Sequence, residues 1–254
     1  MTVTVLKYLL AAAGAGYLLS AVMFRLKKDK AAYFSAAVGW LLNTVVIAIN
    51  WIHNGYVPFV SMYQVLTFLG ACFLLVGAYM RFVRKDRLTA PYFVLCSAIV
   101  MAGTVIMDAT LVWHFVPALQ SIWFVPHVFS YMLSYSLCAV ASLLSVVWIF
   151  SRSNREALDR SIYPLVSVAF PFMTAGIFLG AIWANEVWTE FWSWDAKENW
   201  ALVTWLIYAL YLHCRRHAKL KKYQYIFTIL GVIALFMAFQ GVSLFGIESS
   251  HSYS

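Results

Sequence analysis

Trp183, Trp188, Trp192, Trp194, Trp200 and Trp205 place six of the chain's eleven tryptophans within a single 23-residue stretch. Asp195, Lys197 and Glu198 are interleaved with them. Indole faces suit a large, flat, apolar ligand, and nearby charges suit polar groups on such a ligand's rim. An interfacial aromatic belt also collects tryptophan, with indoles at the headgroup level near helix ends. Six in one connection is too dense for a belt alone, so a ligand platform is the leading reading and the belt its competitor.

Histidine supplies the second signal. His127 and His251 flank the tryptophan stretch in sequence. Pro126 favours the first turn of a helix, which puts His127 at a helix N-terminus. The positive end of a helix disfavours imidazolium, so the ring stays neutral and able to ligate a metal. A lone boundary histidine is more often an ordinary hydrogen-bonded residue. Two that flank an aromatic surface fit bis-histidine axial ligation of a haem iron. His213 follows Asn199 by fourteen residues, roughly 21 Å along a helix, beside Arg215 and Arg216. It reads either as a functional group within a membrane span or as a snorkelling interfacial residue. His53, His114 and His217 lie near span ends and carry less weight. Cys72, Cys96, Cys138 and Cys214 form no CxxC pair, so neither a zinc site nor a redox motif is indicated.

The elements that must position these groups are membrane helices. Hydrophobic residues make up 63% of the 254 residues and charged ones 11%, against roughly 25% charged in soluble domains. Apolar stretches fall near 5–24, 32–52, 60–80, 92–108, 127–150, 165–183, 200–214 and 223–247. Each approaches the ~20 residues that cross a bilayer, and the short seventh must extend a turn at each end. The expected fold is therefore an all-α integral membrane protein of about eight transmembrane helices, a single polytopic domain over 1–254. Loops at 25–31, 81–90, 151–163 and 214–222 hold 16 of the 18 Lys and Arg. The positive-inside rule assigns those loops to the inner face and both termini, with the 183–200 segment, to the outer face. The basic charge is thus a topology signal and speaks against nucleic acid. Arg25–Lys30 follows the first apolar run, which marks that run as a reverse-oriented anchor rather than a cleaved leader.

Gly180-Ala-Ile-Trp-Ala through Trp188, then Trp192-Ser-Trp-Asp195, Lys197-Glu198 and Trp200, resembles the WWD signature of haem-handling proteins. Trp205-Leu-Ile-Tyr-Ala-Leu-Tyr-Leu-His213, the tail His251-Ser-Tyr-Ser, Pro117-Ala-Leu-Gln-Ser-Ile-Trp and, more loosely, Ser61-Met-Tyr-Gln-Val-Leu-Thr-Phe are similar to its CcsA (ResC) branch. The resemblance covers at least residues 55–254. It implies a role in system II cytochrome c maturation with a CcsB (ResB) partner, as a subunit of a cytochrome c synthase complex. It implies that haem b crosses the membrane and is presented for thioether attachment to CxxCH apocytochromes. His127 and His251 would be axial ligands at an outer site whose surface is Trp183, Trp188, Trp192, Trp194, Asp195 and Trp200. His213 would ligate iron at a second site within the membrane, opposite a ligand from the partner. The membrane would be a bacterial inner membrane or a thylakoid.

Thr189 stands where this family usually has Gly, Ala196 where Pro follows the Asp, and Gln64 where an acidic residue is common. None of these removes a histidine. Rival readings are a haem transporter of the CcmC type that hands haem to a separate chaperone, a b-type cytochrome subunit that carries electrons, and a HemX-like regulator. The span count and His213 favour the CcsA branch over the first. The second pairs histidines on facing helices, for which only His213 is well placed. The intact tryptophan signature argues against the third.

Overall fold

The computed structural model describes residues 3–107, 109, 116–151, 154–217, 219–247 and 249, and among them helices are the only regular structure. The chain divides into two compact units, Met1–Gln120 and Ser121–Ser254.

The first unit holds α1 (Val3–Arg25), α2 (Asp29–Asn54), α3 (Met62–Phe82) and α4 (Ala90–Ile106), then a 3-10 turn at Pro117–Gln120. Local chemistry sets the ends. Gly55 takes the left-handed conformation that closes α2, where a side chain would be strained. Ser61 and Gln64 form a reciprocal capping box that starts α3. Leu6, Leu10, Ala13 and Tyr17 of α1 pack with Val46, Tyr63 and Met101. Polar atoms in this apolar setting bond across helices: Ser20 Oγ donates to the Ala32 carbonyl at 2.7 Å and Ser97 Oγ to that of Gly70 at 3.1 Å.

The second unit holds α5 (Phe124–Phe150), α6 (Arg155–Trp188), α7 (Ala196–Arg216), α8 (Gln224–Phe236) and α9 (Val242–Leu244). A π turn at Met237–Gly241 joins the last two into one rod. Neighbour contacts close a ring in which α5 meets α6, α6 meets α7, α7 meets α8 and α8 returns to α5. At 34 residues α6 is about 51 Å long, well beyond the ~30 Å hydrocarbon thickness. Its apolar part is 165–183, so its first turns, with Asp159, lie outside the apolar layer.

Those first turns anchor the basic end of the unit. Arg215 Nη1 donates to Asp159 Oδ1, which also accepts from Gln224 Nε2 at 3.0 Å and the Tyr225 hydroxyl at 2.6 Å. Arg215 Nη2 donates to Oδ2 at 3.0 Å, and Lys221 Nζ lies 3.4 Å from it. Burial pushes the Asp159 carboxyl up, but the donors from Arg215 and Tyr225 and the charges of Arg215 and Lys221 outweigh this. The group therefore sits below the usual carboxylate range. Arg215 faces inward in this clamp and fixes the rotation of α7. Tyr208, Tyr211 and Cys214 are consequently buried, while Leu206, Leu210 and His213 are exposed.

Six helical segments are long and apolar enough to cross a membrane: those at 3–25, 29–54, 62–82, 124–150, 155–188 and 221–244. Helix α4 is apolar but has only 17 residues. Helix α7 covers 196–216, four residues before and two after the 200–214 run, and is not among these six.

Candidate functional site

The sequence-predicted groups gather at the end of the second unit opposite the Asp159 clamp. His127 lies in the first turns of α5, where Pro126 is tolerated because the first backbone N–H groups of a helix have no partner in it. Its Nδ1 stands 2.8 Å from the Gly176 carbonyl on α6. A carbonyl only accepts, so this contact puts a proton on Nδ1, and in the neutral ring the lone pair is then on Nε2. The imidazole meets the Trp183 ring at 5.5 Å with 34° between planes, and Tyr131 edge-on at 5.0 Å. Trp183 is only 4% exposed and also packs against Phe124 at 5.2 Å.

The indoles do not share one plane. Trp183 and Trp188 meet at 67° with centroids 5.1 Å apart, and Trp192 and Trp194 at 84° and 6.1 Å. They form walls of differing tilt rather than a single flat shelf. Trp205 points elsewhere, donating from Nε1 to Thr174 Oγ1 at 3.0 Å and lying 5.2 Å from Phe170. It is part of the α6–α7 packing. Trp200 lies in the first turns of α7, half-buried.

The connection between α6 and α7 is held in a strained form. Thr189 ends α6 with φ of 64°, and Trp194 has φ of 60°, both left-handed values that side chains disfavour. Hydrogen bonds on both sides fix Trp194. Glu198 Oε2 accepts from the Ser193 N–H at 2.9 Å and the Asp195 N–H at 3.1 Å, and Asn199 Nδ2 donates to the Trp194 carbonyl at 2.7 Å. Trp194 is thereby held 70% exposed. An exposed indole on a strained, clamped backbone is held in one orientation before it meets anything. The Trp192 Nε1–H is buried and has no partner among the described residues, so it is a donor suited to a carboxylate on a bound ligand.

Asp195 caps α7 through the Lys197 N–H at 2.8 Å, and its Oδ1 also accepts from Ser249 Oγ at 2.9 Å. Burial pulls the Lys197 ammonium below the usual lysine value, and the Asp195 carboxylate opposes this only in part. The segment before α5 is tied to α6 by Ser121 Oγ, which donates to Glu186 Oε2 at 2.6 Å.

His127, Trp183, Trp188, Trp192, Trp194, Asp195 and Trp200 thus share the two ends of α6 and α7 and the start of α5. His213 is not with them. It is exposed at the far end of α7, its ring 4.7 Å from that of His217. His251 and His114 lie outside the described residues. Sequence reading missed the Ser249–Asp195 bond, the Asp159 clamp and the close approach of His127 to Gly176 and Gly180. Only the glycines left a trace there, a G-x-x-x-G spacing within an apolar run.

Long apolar helices with a preorganised tryptophan-rich end define an integral membrane protein with a candidate site for a flat ligand. Residues 59–248 match the family model described as cytochrome C assembly protein, and the chain belongs to that family. The chain is similar to the cytochrome c biogenesis protein CcsA of Chlamydomonas reinhardtii, with 32% identity covering 92% of this chain and 71% of that protein. The CcsA proteins of Guillardia theta and Solanum lycopersicum are each 30% identical. They cover 87% and 83% of this chain, and 84% and 81% of their own lengths.

Proposed function

We propose that this chain acts in cytochrome c biogenesis by holding haem at the tryptophan-rich end of its second unit, on the outer face of the membrane. There it presents haem for thioether attachment to CxxCH apocytochromes. Haem is cargo, and the iron's axial ligands are His127 and His251. The observation that carries the reading is the setting of His127: its Nδ1 is held at the Gly176 carbonyl and its ring lies against Trp183, which leaves Nε2 as the ligating nitrogen of the neutral imidazole. Second contacts of this kind fix the tautomer of histidines that ligate metals.

The protein's own residues supply positioning. Trp183 and Trp188 wall the site, Trp194 offers an exposed face, and the Trp192 N–H and Lys197 suit carboxylates on the haem rim. Thioether formation adds cysteine thiols across the haem vinyl groups, so proximity and orientation are the main contribution asked of the protein. The Ser249–Asp195 bond brings the chain two residues before His251 to the tryptophan segment, which supports His251 as the second ligand. The basic loops face the cytoplasm or stroma, and the membrane is a bacterial inner membrane or a thylakoid. A CcsB-type partner in trans completes the complex, and the exposed His213 ligates haem at a second, inner site opposite a partner ligand.

The test is to co-express the chain with a CcsB-type partner, purify the complex and record absorption spectra of wild type, His127→Ala and His251→Ala. Reduced six-coordinate haem in the wild type, lost or made ligand-deficient in either variant, is expected. A complex without haem, or variants with wild-type spectra, returns the tryptophan segment to an interfacial belt.

A further inference from the structure

Two residues one helical turn apart on α5, His127 and Tyr131, face two glycines one turn apart on α6, Gly180 and Gly176. A Cβ added to Gly180 would lie 2.6 Å from both Cε1 and Nδ1 of His127, and its three nearest atoms all belong to that ring. A Cβ on Gly176 would lie 2.9 Å from the Tyr131 ring. Neither glycine has a left-handed backbone, so what each supplies is space. The rings have little freedom to yield. His127 is bonded at Nδ1 to Gly176 and sits between Trp183 and Tyr131, while Tyr131 is buried against Tyr135 at 5.2 Å.

We propose that Gly176 and Gly180 are positioning residues for His127, cutting a slot in α6 in which the imidazole stands with Nδ1 toward the backbone and Nε2 toward the haem site. The close approach of two helix backbones at paired small residues is a general feature of membrane helices. Here the approach serves a ring rather than a second backbone. The Gly176 carbonyl is reachable by Nδ1 because no side chain at 180 stands in the way. The role of the slot rests on the haem reading above, but the steric claim does not.

The experiment is a stability cycle on the complex in detergent, using Gly180→Ala, His127→Ala and the double variant, with haem spectra alongside. Gly180→Ala is expected to lower the unfolding midpoint by roughly 3–10 °C in the wild-type background. In the His127→Ala background, where the ring is gone, it is expected to lower it by less than about 2 °C. The Gly180→Ala spectrum should become ligand-deficient like that of His127→Ala, and millimolar imidazole should restore it. An equal loss of stability in both backgrounds, or a wild-type spectrum in Gly180→Ala where that of His127→Ala is ligand-deficient, overturns the slot. Should Gly180→Ala fail to fold, a folded double variant supports the proposal and an unfolded one overturns it. If His127→Ala keeps a wild-type spectrum, the haem reading fails while the stability cycle still decides the steric claim.

Discussion

The hydroxyl of Ser249 donates to Asp195 Oδ1 at 2.9 Å, so the carboxylate that caps α7 also holds the segment that follows α9. One acceptor oxygen therefore couples the tryptophan segment to Ser249. Ser249→Ala removes the tail's bond and leaves the α7 cap in place. A hydrogen bond to a carboxylate is worth about 1–2 kcal/mol where it is partly exposed. Backbone amides of residues 245–247 are expected to exchange roughly five- to thirtyfold faster in Ser249→Ala, with α7 unchanged. Unaltered exchange there would mean that the bond holds nothing.

The clamp at the other end of the second unit gives a pH prediction. The Asp159 carboxyl lies below its ordinary range in the folded protein, so its charge stabilises the fold at neutral pH. That contribution is present above the unfolded carboxylate value and is lost as pH falls through the lower folded value. Asp159→Asn should therefore lower stability by about 1–3 kcal/mol at pH 7. The gap to wild type should hold down to pH about 4 and narrow below it. Detergent-solubilised unfolding midpoints from pH 7 to pH 3 measure this. A gap that widens on acidification would reverse the sign and refute the assignment.

Much of the fold was legible because bilayer thickness imposes length, and length is countable. The runs at 5–24, 32–52 and 127–150 lie inside α1, α2 and α5 almost end to end. The short seventh run grew by four residues at its start, where Asp195 and Glu198 form a capping box, and by two at its end, where Arg215 is drawn into the clamp. Helix α6 outran its apolar stretch of 165–183 because its first turns are held by charge rather than by hydrocarbon. At the candidate site, residue types singled out the tryptophans and His127, whose chemistry is intrinsic to the side chain. The slot at Gly176 and Gly180 and the tail bond at Ser249 depend on which atoms meet across helices. Serine is too common to announce such a meeting, and a G-x-x-x-G spacing marks a close approach without saying what approaches.

Thr189 closes α6 with φ of 64°, a conformation in which its branched side chain is strained by about 1–2 kcal/mol. Glycine at this position removes the strain but increases the freedom of the unfolded chain by a smaller amount. Thr189→Gly is therefore expected to stabilise the protein by about 0.5–1 kcal/mol, read as a rise of roughly 1–4 °C in unfolding midpoint. A fall would show that the Thr189 hydroxyl, which lies 2.6 Å from the Trp188 carbonyl, matters more than the backbone.

Trp183 and Trp194 separate the ligand surface from the belt. Trp183 is 4% exposed and built into the packing of α5 and α6, so Trp183→Ala should cost about 3–5 kcal/mol and confound any binding assay. Trp194 is 70% exposed, and its replacement should change stability by no more than about 0.5 kcal/mol. Aromatic stacking contributes about 0.5–1.5 kcal/mol beyond buried area, so Trp194→Ala should weaken haem binding to the purified complex by roughly two- to tenfold. Haem titration followed by quenching of tryptophan fluorescence reads both affinity and site, because a bound porphyrin quenches the neighbouring indoles. Equal affinity in Trp194→Ala and wild type would assign this indole to the membrane interface. A loss of affinity with an unchanged unfolding midpoint would assign it to the ligand, because an interfacial anchor has no means of acting on haem alone.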